Sequence, residues 1–265
     1  FISVSSLTTE EDFLSWGWRI PFLISFVLVI ISMYIQLRLE DTRAFKELEA
    51  SKSAEPVEKR QIKSSPILEA LRRYPGRISL AAGAFLSIQV TFYILVAFIL
   101  AYGVQTTELS RNDILMAVLI GSAIMVPMQF VFSDYSDKNG RKGIFMTGAI
   151  LTGVWAFALF PLIDTGSFYL VILGVSGGLM FLGMMYGPQA AFFAELFSTD
   201  VRYSGASLGY QIGAIIGGSF APTIATLLWK NYDIFWVSVY IAFASLASLL
   251  SVYFLTETYQ KDLNE

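Results

Sequence analysis

The chain contains no cysteine and no histidine. Without a thiolate or an imidazole it cannot build a disulfide, the usual zinc or haem ligand sets, or a Ser/His/Asp or Cys/His catalytic group. No enzyme activity and no cofactor are therefore expected. Charge is scarce as well: Asp, Glu, Lys and Arg make up 15% of the 265 residues, against about 25% in an average soluble domain. Hydrophobic residues make up 55% and the mean hydropathy is +0.61. Too little polar surface remains to coat a globule in water, so the composition is that of a membrane protein. The opening residues 1–13 carry no start methionine, basic n-region, apolar h-region or small-residue cleavage site. The chain is therefore expected to be a piece of a longer one.

Long apolar runs are abundant. A hydrocarbon core about 30 Å thick needs roughly 20 apolar residues per helix. Seven stretches qualify: Ile20–Leu37, Ile78–Gly103, Ile114–Phe132, Ile144–Ile163, Phe168–Gly187, Gly205–Leu228 and Ile234–Leu255, none of which contains Lys, Arg, Asp or Glu. Basic loops stay in the cytoplasm. Fifteen Lys and Arg fall on one side of these spans, ten of them in Arg38–Arg77, and only Arg19, Arg111 and Lys230 on the other. This predicts an outside N-terminus and a cytoplasmic C-terminus, with an odd number of spans lost upstream.

The segment Arg38–Arg77 is the one candidate domain boundary. Its Ala-, Ser-, Glu- and Lys-rich middle cannot build a core and reads as a solvated linker. A short surface helix should follow, with Ser65 as N-cap and Pro66 at its first position. Arg72, Arg73 and Arg77 read as ordinary topology signals. The six later spans divide into two groups of three with opposite orientation, an arrangement that secondary transporters build from inverted repeats.

The loop Ser133-Asp134-Tyr135-Ser136-Asp137-Lys138-Asn139-Gly140-Arg141-Lys142 follows the third span. Asn139-Gly140 supplies residues that tolerate positive φ in a tight turn, and Asp137 can pair with Arg141. A basic hairpin that only fixes topology would look the same. The run resembles the Gly-x-x-x-Asp-Arg-x-Gly-Arg-Lys motif of the major facilitator superfamily, with Ser133 in place of Gly and Lys138 in place of Arg. Trp16-Gly17-Trp18-Arg19-Ile20-Pro21-Phe22, Arg38-Leu39-Glu40-Asp41-Thr42-Arg43-Ala44-Phe45, Glu195-Leu196-Phe197 and Arg202-Tyr203-Ser204-Gly205 are similar to the metabolite:proton symporter family within it, nearest to the shikimate-transporter type.

The resemblance implies an all-α polytopic membrane protein with the major-facilitator fold, contributing the last seven of twelve transmembrane helices. Residues 1–37 would end the N-terminal half, 38–77 would be the cytoplasmic linker, and 78–265 the C-terminal six-helix transporter domain. It further implies secondary active transport of a small organic metabolite, an organic acid such as shikimate or a dicarboxylate, across the inner membrane with protons as coupling ion. The partners would be that metabolite, protons, the lipid bilayer and the missing N-terminal half, with no nucleic acid. Asp137, Gly140, Arg141 and Lys142 would form a cytoplasmic gating network with Glu195 and Arg202. No carboxylate lies in the seven apolar stretches, so a protonation site would lie in the missing half. The alternatives are an uncoupled facilitator or exchanger, or a transporter-like sensor that binds without uptake.

Polar side chains at mid-span depth should face the interior rather than lipid. Gln89 and Tyr93 share one face of the second span, Gln129 lies near the inner end of the third, and Tyr210 and Gln211 lie in the inner part of the sixth. They fit two uses: orienting a hydroxylated or carboxylated metabolite, or hydrogen-bonding helix to helix. Gly205, Gly209, Gly213 and Gly217 form a small-residue ladder that permits close helix approach, either as static packing or as a sliding surface. Pro127, Pro188 and Pro222 are candidate sites of helix bending.

Overall fold

A computed structural model describes residue 4 and residues 7–38 and 65–259. The linker composition between Leu39 and Ser64, most of the Arg38–Phe45 match and Lys261 lie outside the described residues. Two compact units are present, Phe1–Pro56 and Val57–Glu265. In the first, α1 (Glu10–Ser15) is capped by Thr9, whose hydroxyl accepts from the Asp12 N–H. A 3₁₀ turn (Gly17–Arg19) then leads into α2 (Ile20–Arg38), none of whose residues is buried.

The second unit opens with α3 (Pro66–Arg73). Six long helices follow: α4 (Pro75–Thr106), α5 (Arg111–Asn139), α6 (Arg141–Asp164), α7 (Phe168–Glu195), α8 (Arg202–Asn231) and α9 (Ile234–Phe254). With α2 they make seven helices, among the described residues, long and apolar enough to cross a membrane. The chain is an all-α polytopic membrane protein.

The helices run past the apolar stretches. Residues 133–139, expected as a loop, are the last two turns of α5, and the α5–α6 turn reduces to Gly140 at φ 102. Residues 188–195, expected as part of a break, complete α7 and leave only 196–201 as loop. Polar side chains do not end a helix whose backbone bonds continue. Ser65 sits at the N-cap of α3, but its hydroxyl makes no capping bond. Pro127 and Pro188 lie inside unbroken helices, as does Pro161; Pro222 opens the last segment of α8, after an interruption at Phe220. Both α4 and α8 contain a π-helical turn, Ile94–Phe98 and Ile215–Ser219.

The pairing of the six helices is internally symmetric. α7 packs on α5 and α6, α4 packs on α8 and α9, and α6 packs on α9. Exchanging α4 with α7, α5 with α8 and α6 with α9 leaves this set unchanged. In hydrocarbon, association depends on close packing and interhelical hydrogen bonds, and both are visible. A Cβ on Gly209 would stand 2.7 Å from the Ala81 Cβ, one on Gly213 2.7 Å from the Ala82 carbonyl oxygen, and one on Gly217 3.1 Å from the Leu86 carbonyl oxygen. Three rungs of the ladder thus let α8 touch the backbone of α4. The fourth, Gly205, accommodates the Phe197 ring instead, at 2.5 Å. Serines join α4 to α9: Ser248 Oγ donates to the Gly83 carbonyl at 2.9 Å, and Ser87 and Ser245 hydroxyls lie 2.9 Å apart.

Gly213→Val should separate α4 from α8 and destabilise the protein by about 1–3 kcal/mol, because the obstructing atoms include backbone. Gly143 has open space around it. Gly143→Ala should leave the melting temperature of detergent-purified protein unchanged or raised, while Gly213→Val lowers it; equal effects would contradict close approach at the ladder.

Candidate functional site

Two groups of polar side chains stand out. The first gathers at the end of the bundle that carries the basic loops. The single-residue turn at Gly140 reverses the chain so that Arg141, in the first turn of α6, lies beside the end of α5. Arg141 Nη2 donates to Glu195 Oε1 at 2.9 Å and Nε to Glu195 Oε2 at 3.3 Å, a two-pronged grip on the end of α7. Its Nη1 also bonds Asp137 and, at 3.1 Å, Ser136 Oγ. The Arg141 side chain is 11% exposed and that of Glu195 21%, so solvent screens this pair less than an exposed one.

The segment after α9 completes the group. Glu257 Oε1 accepts from the Arg141 N–H and Oε2 from the Lys142 N–H, each at 3.0 Å. A carboxylate thereby caps the N-terminus of α6, where the helix dipole favours negative charge. A Cβ on Gly140 would stand 3.1 Å from Glu257 Oε2, so this position needs glycine both for its positive φ and for the neighbouring carboxylate. Thr258 Oγ1 donates to Glu195 Oε2 at 2.5 Å and Tyr259 to the Lys138 carbonyl at 2.7 Å. Lys142 Nζ reaches the Tyr253 and Leu255 carbonyls at the end of α9. Burial pushes the Glu257 carboxyl up, but backbone N–H donors from Lys142, Arg141, Tyr259 and Thr258 outweigh it and hold the group below the usual glutamate range.

Asp137, Gly140, Arg141, Lys142 and Glu195 are therefore together. Arg202 is not paired with them. It closes its own loop, donating to the Phe197 carbonyl at 3.4 Å and to Thr199 at 3.2 Å, because that loop is only six residues long and keeps the guanidinium local. Arg73 and Arg77 do more than mark topology: Arg73 bonds Asp200 at 3.1 Å, and Arg77 the Leu196 carbonyl at 2.6 Å. The sequence reading passed over Glu257 and Thr258; an acidic residue just past a span, on the side of the basic turn, was the available signal.

The second group surrounds a cavity of about 320 Å³ between α7 and α8. Tyr186, Gln189 and Phe193 line it from α7, and Ser207, Tyr210 and Gln211 from α8. The phenols Tyr186 and Tyr210 face one another across it, with Tyr93 of α4 close by. The Tyr210 ring packs against Phe85 at 4.3 Å between centroids, tilted by 34°. Gln89 and Tyr93 reach the α8 π-turn, both of them lying against the Cα of Gly218. The structure thus brings Tyr93, Tyr210 and Gln211 to one region with Gln89 at its edge. Gln129 lies apart, on the face of α5 that packs against Gly183 and Gly187 of α7. Gln189, two residues past the apolar stretch that ends at Gly187, is in helix and 5% exposed, and neither it nor Tyr186 was among the polar residues singled out. Both follow from α7 continuing to Glu195.

At the opposite end, Tyr102 donates to Asp164 at 2.5 Å and packs against Phe160 and Trp229, with ring centroids 5.5 and 5.1 Å away. Asp164 falls one residue beyond the apolar stretch and so escaped notice. Among the described residues no group of three or more Asp, Glu, His or Cys could hold a metal ion.

A family model described as Major Facilitator Superfamily matches residues 13–208. Curated relatives include the inner membrane metabolite transport protein YhjE of Escherichia coli, 33% identical over 99% of this chain and 59% of the relative. The shikimate transporter of Escherichia coli is 32% identical over 96% and 58%, and its proline/betaine transporter 27% identical over 99% and 53%. The chain spans little more than half the length of these relatives.

Because the Glu257 carboxyl is held below its ordinary value, its stabilisation is present at neutral pH and above the unfolded value, and is lost as pH falls through the depressed folded value. Glu257→Gln puts an N–H donor among N–H donors and should cost about 1–3 kcal/mol at pH 7. In melting curves from pH 7 down to about 3, the gap between wild type and Glu257→Gln should close at the acid end. A gap that persists there would assign the loss to something other than the carboxylate.

Proposed function

Since the chain belongs to the Major Facilitator Superfamily, we propose that it forms part of a secondary transporter that moves a small organic metabolite across the inner membrane by alternating access, with proton symport. The observation that carries this reading is the open cavity between α7 and α8, where phenols, amides and a hydroxyl converge beside a core built mainly of apolar side chains. Pockets of about 300–1,000 Å³ with few convergent polar groups are the usual form of small-molecule sites. Tyr93, Tyr186, Tyr210 and Gln211 are its substrate contacts in this reading, with Gln89 at the edge; Gln129 serves the α5–α7 contact.

The charge group supplies the second requirement of a carrier, contacts made in one state and broken in another. Arg141, Glu195, Asp137 and Glu257 join the α5–α6 turn, the end of α7 and the tail after α9. In the proposed orientation this latch is cytoplasmic and closes that side. Lys142 supports it through the end of α9, and Arg202 stiffens the neighbouring loop.

A second reading, an uncoupled facilitator or exchanger, draws on the lack of any Asp or Glu in the seven apolar stretches. Uptake of a metabolite panel into proteoliposomes holding the full-length protein, with and without an imposed proton gradient, separates the two. Acceleration by the gradient and its loss on adding a protonophore are expected; uptake indifferent to both selects the facilitator, and binding without uptake selects a sensor. Arg141→Ala should shift the balance between the two states by about 5- to 150-fold, the range of a 1–3 kcal/mol coupling, while leaving metabolite affinity within each state unchanged. Maleimide labelling at Ala206→Cys, which lines the same cavity, read against the same protein without that substitution, reports the balance. Collapsed affinity with an unmoved balance would refute the latch.

A further inference from the structure

We propose that α3 is an interfacial helix that seats an anionic phospholipid, with Ile67, Leu68 and Leu71 against the acyl chains and Arg72 on the headgroup phosphate. Successive residues of a helix turn by about 100°, so Ile67, Leu71 and Leu68 occupy one continuous arc of about 100°. These three side chains belong to residues 51%, 41% and 42% exposed, while Ala70, outside the arc, is fully buried where α3 packs on the bundle. Arg72 borders the arc, and Glu69, the one acidic residue of α3, lies on the far side of the helix.

The level of α3 in the membrane identifies what meets that arc. A single residue, Tyr74, separates α3 from α4, and Pro75, Gly76 and Arg77 alone precede the apolar stretch that begins at Ile78. Three residues of helix rise about 4.5 Å, within the headgroup layer of about 5–7 Å on each face of a bilayer. The helix does not run off into water from there. Arg73 bonds Asp200, Tyr74 donates to Ser198 Oγ at 3.1 Å and Arg77 to the Leu196 carbonyl, which lays α3 along the 196–201 loop beside the start of α8. An apolar arc at this depth meets acyl chains, as in other helices that lie in the interface. The preceding linker is a poor rival, since Val57 and Ile62 are its large apolar residues between Glu49 and Ser64. Charge then selects the headgroup. Residues 66–77 hold three arginines and one glutamate; Arg73 and Arg77 are engaged with the protein, but Arg72 is exposed and, among the described residues, makes no hydrogen bond or ion pair. Its planar guanidinium is free to grip a phosphate with two donors.

The test places the full-length protein in nanodiscs with a bimane fluorophore on Leu68→Cys, read against the same protein without that substitution, and measures quenching by acyl-chain nitroxides carried on phosphatidylglycerol or on phosphatidylcholine. Both lipids should quench, and at equal mole fraction phosphatidylglycerol should do so about fivefold more effectively, the preference expected from one arginine at an anionic surface. Arg72→Gln should bring the two lipids to parity at an unaltered melting temperature, whereas Arg111→Gln, at the opposite end of the bundle, should leave the preference intact. Absence of quenching by either lipid would show the arc covered by protein and overturn the proposal. Equal quenching in the unsubstituted Arg72 background would remove the anionic headgroup from it, and a preference lost equally in Arg111→Gln would reduce it to the general charge of the protein; either result overturns the assignment to Arg72.

Discussion

The guanidinium of Arg141 is the tie on which the basic-loop end of the bundle depends. One planar group grips Glu195 with two donors and Asp137 with a third, so three helix ends, those of α5, α6 and α7, meet at a single side chain. A lysine in its place would hold one carboxylate as a point charge and lose the fork. The same tie explains the strict local requirements around it. Gly140 must turn the chain in one residue, since a longer turn would carry Arg141 away from Glu195. The tail must then bring Glu257 to the exposed N–H groups that this abrupt helix start leaves behind. Charge, turn and tail form one construction, and each part is shaped by the others.

The interior depends on a different economy. Lipid gives no hydrophobic reason for helices to associate, so the bundle is assembled from missing side chains and short hydroxyls. Gly209, Gly213 and Gly217 open α8 to the backbone of α4, and Ser87, Ser245 and Ser248 fasten α4 to α9. These contacts put α4 at the middle of one three-helix group as α7 is of the other. The symmetric pairing places the cavity where α7, belonging to one set of contacts, meets α8, belonging to the other.

Much of the fold was legible in the sequence, for a physical reason. A backbone in hydrocarbon must satisfy its polar groups within its own helix, so a long apolar run has one available structure, and all seven runs are helices. The ends were not legible, because a polar extension such as 188–195 can be helix or loop and only its packing decides. The charge group was readable in part, since Asp137, Gly140 and Arg141 are near neighbours in the chain. Glu257 lies 116 residues from Arg141, a separation that no local pattern bridges. Arg202 misled because opposite charge on the same side does not determine which acceptor is nearest. Gln189 and Tyr186 were hidden by the helix end they depend on.

The two π-turns carry a further meaning. Widening a single turn of helix accommodates one additional residue, and one residue of α-helix is a rotation of about 100°. Beyond Phe98 in α4 and beyond Ser219 in α8, every side chain is therefore out of phase with the face set by the first half of its helix. Tyr102 and Trp229, which pack together at the far end, both lie in these rotated halves. The first halves of α4 and α8 are joined by glycine and the last halves by aromatic rings, two spacings that the π-turns let one pair of helices serve. Each extra residue is in effect a gear change, and a relative lacking one of them would present another face to the same partner.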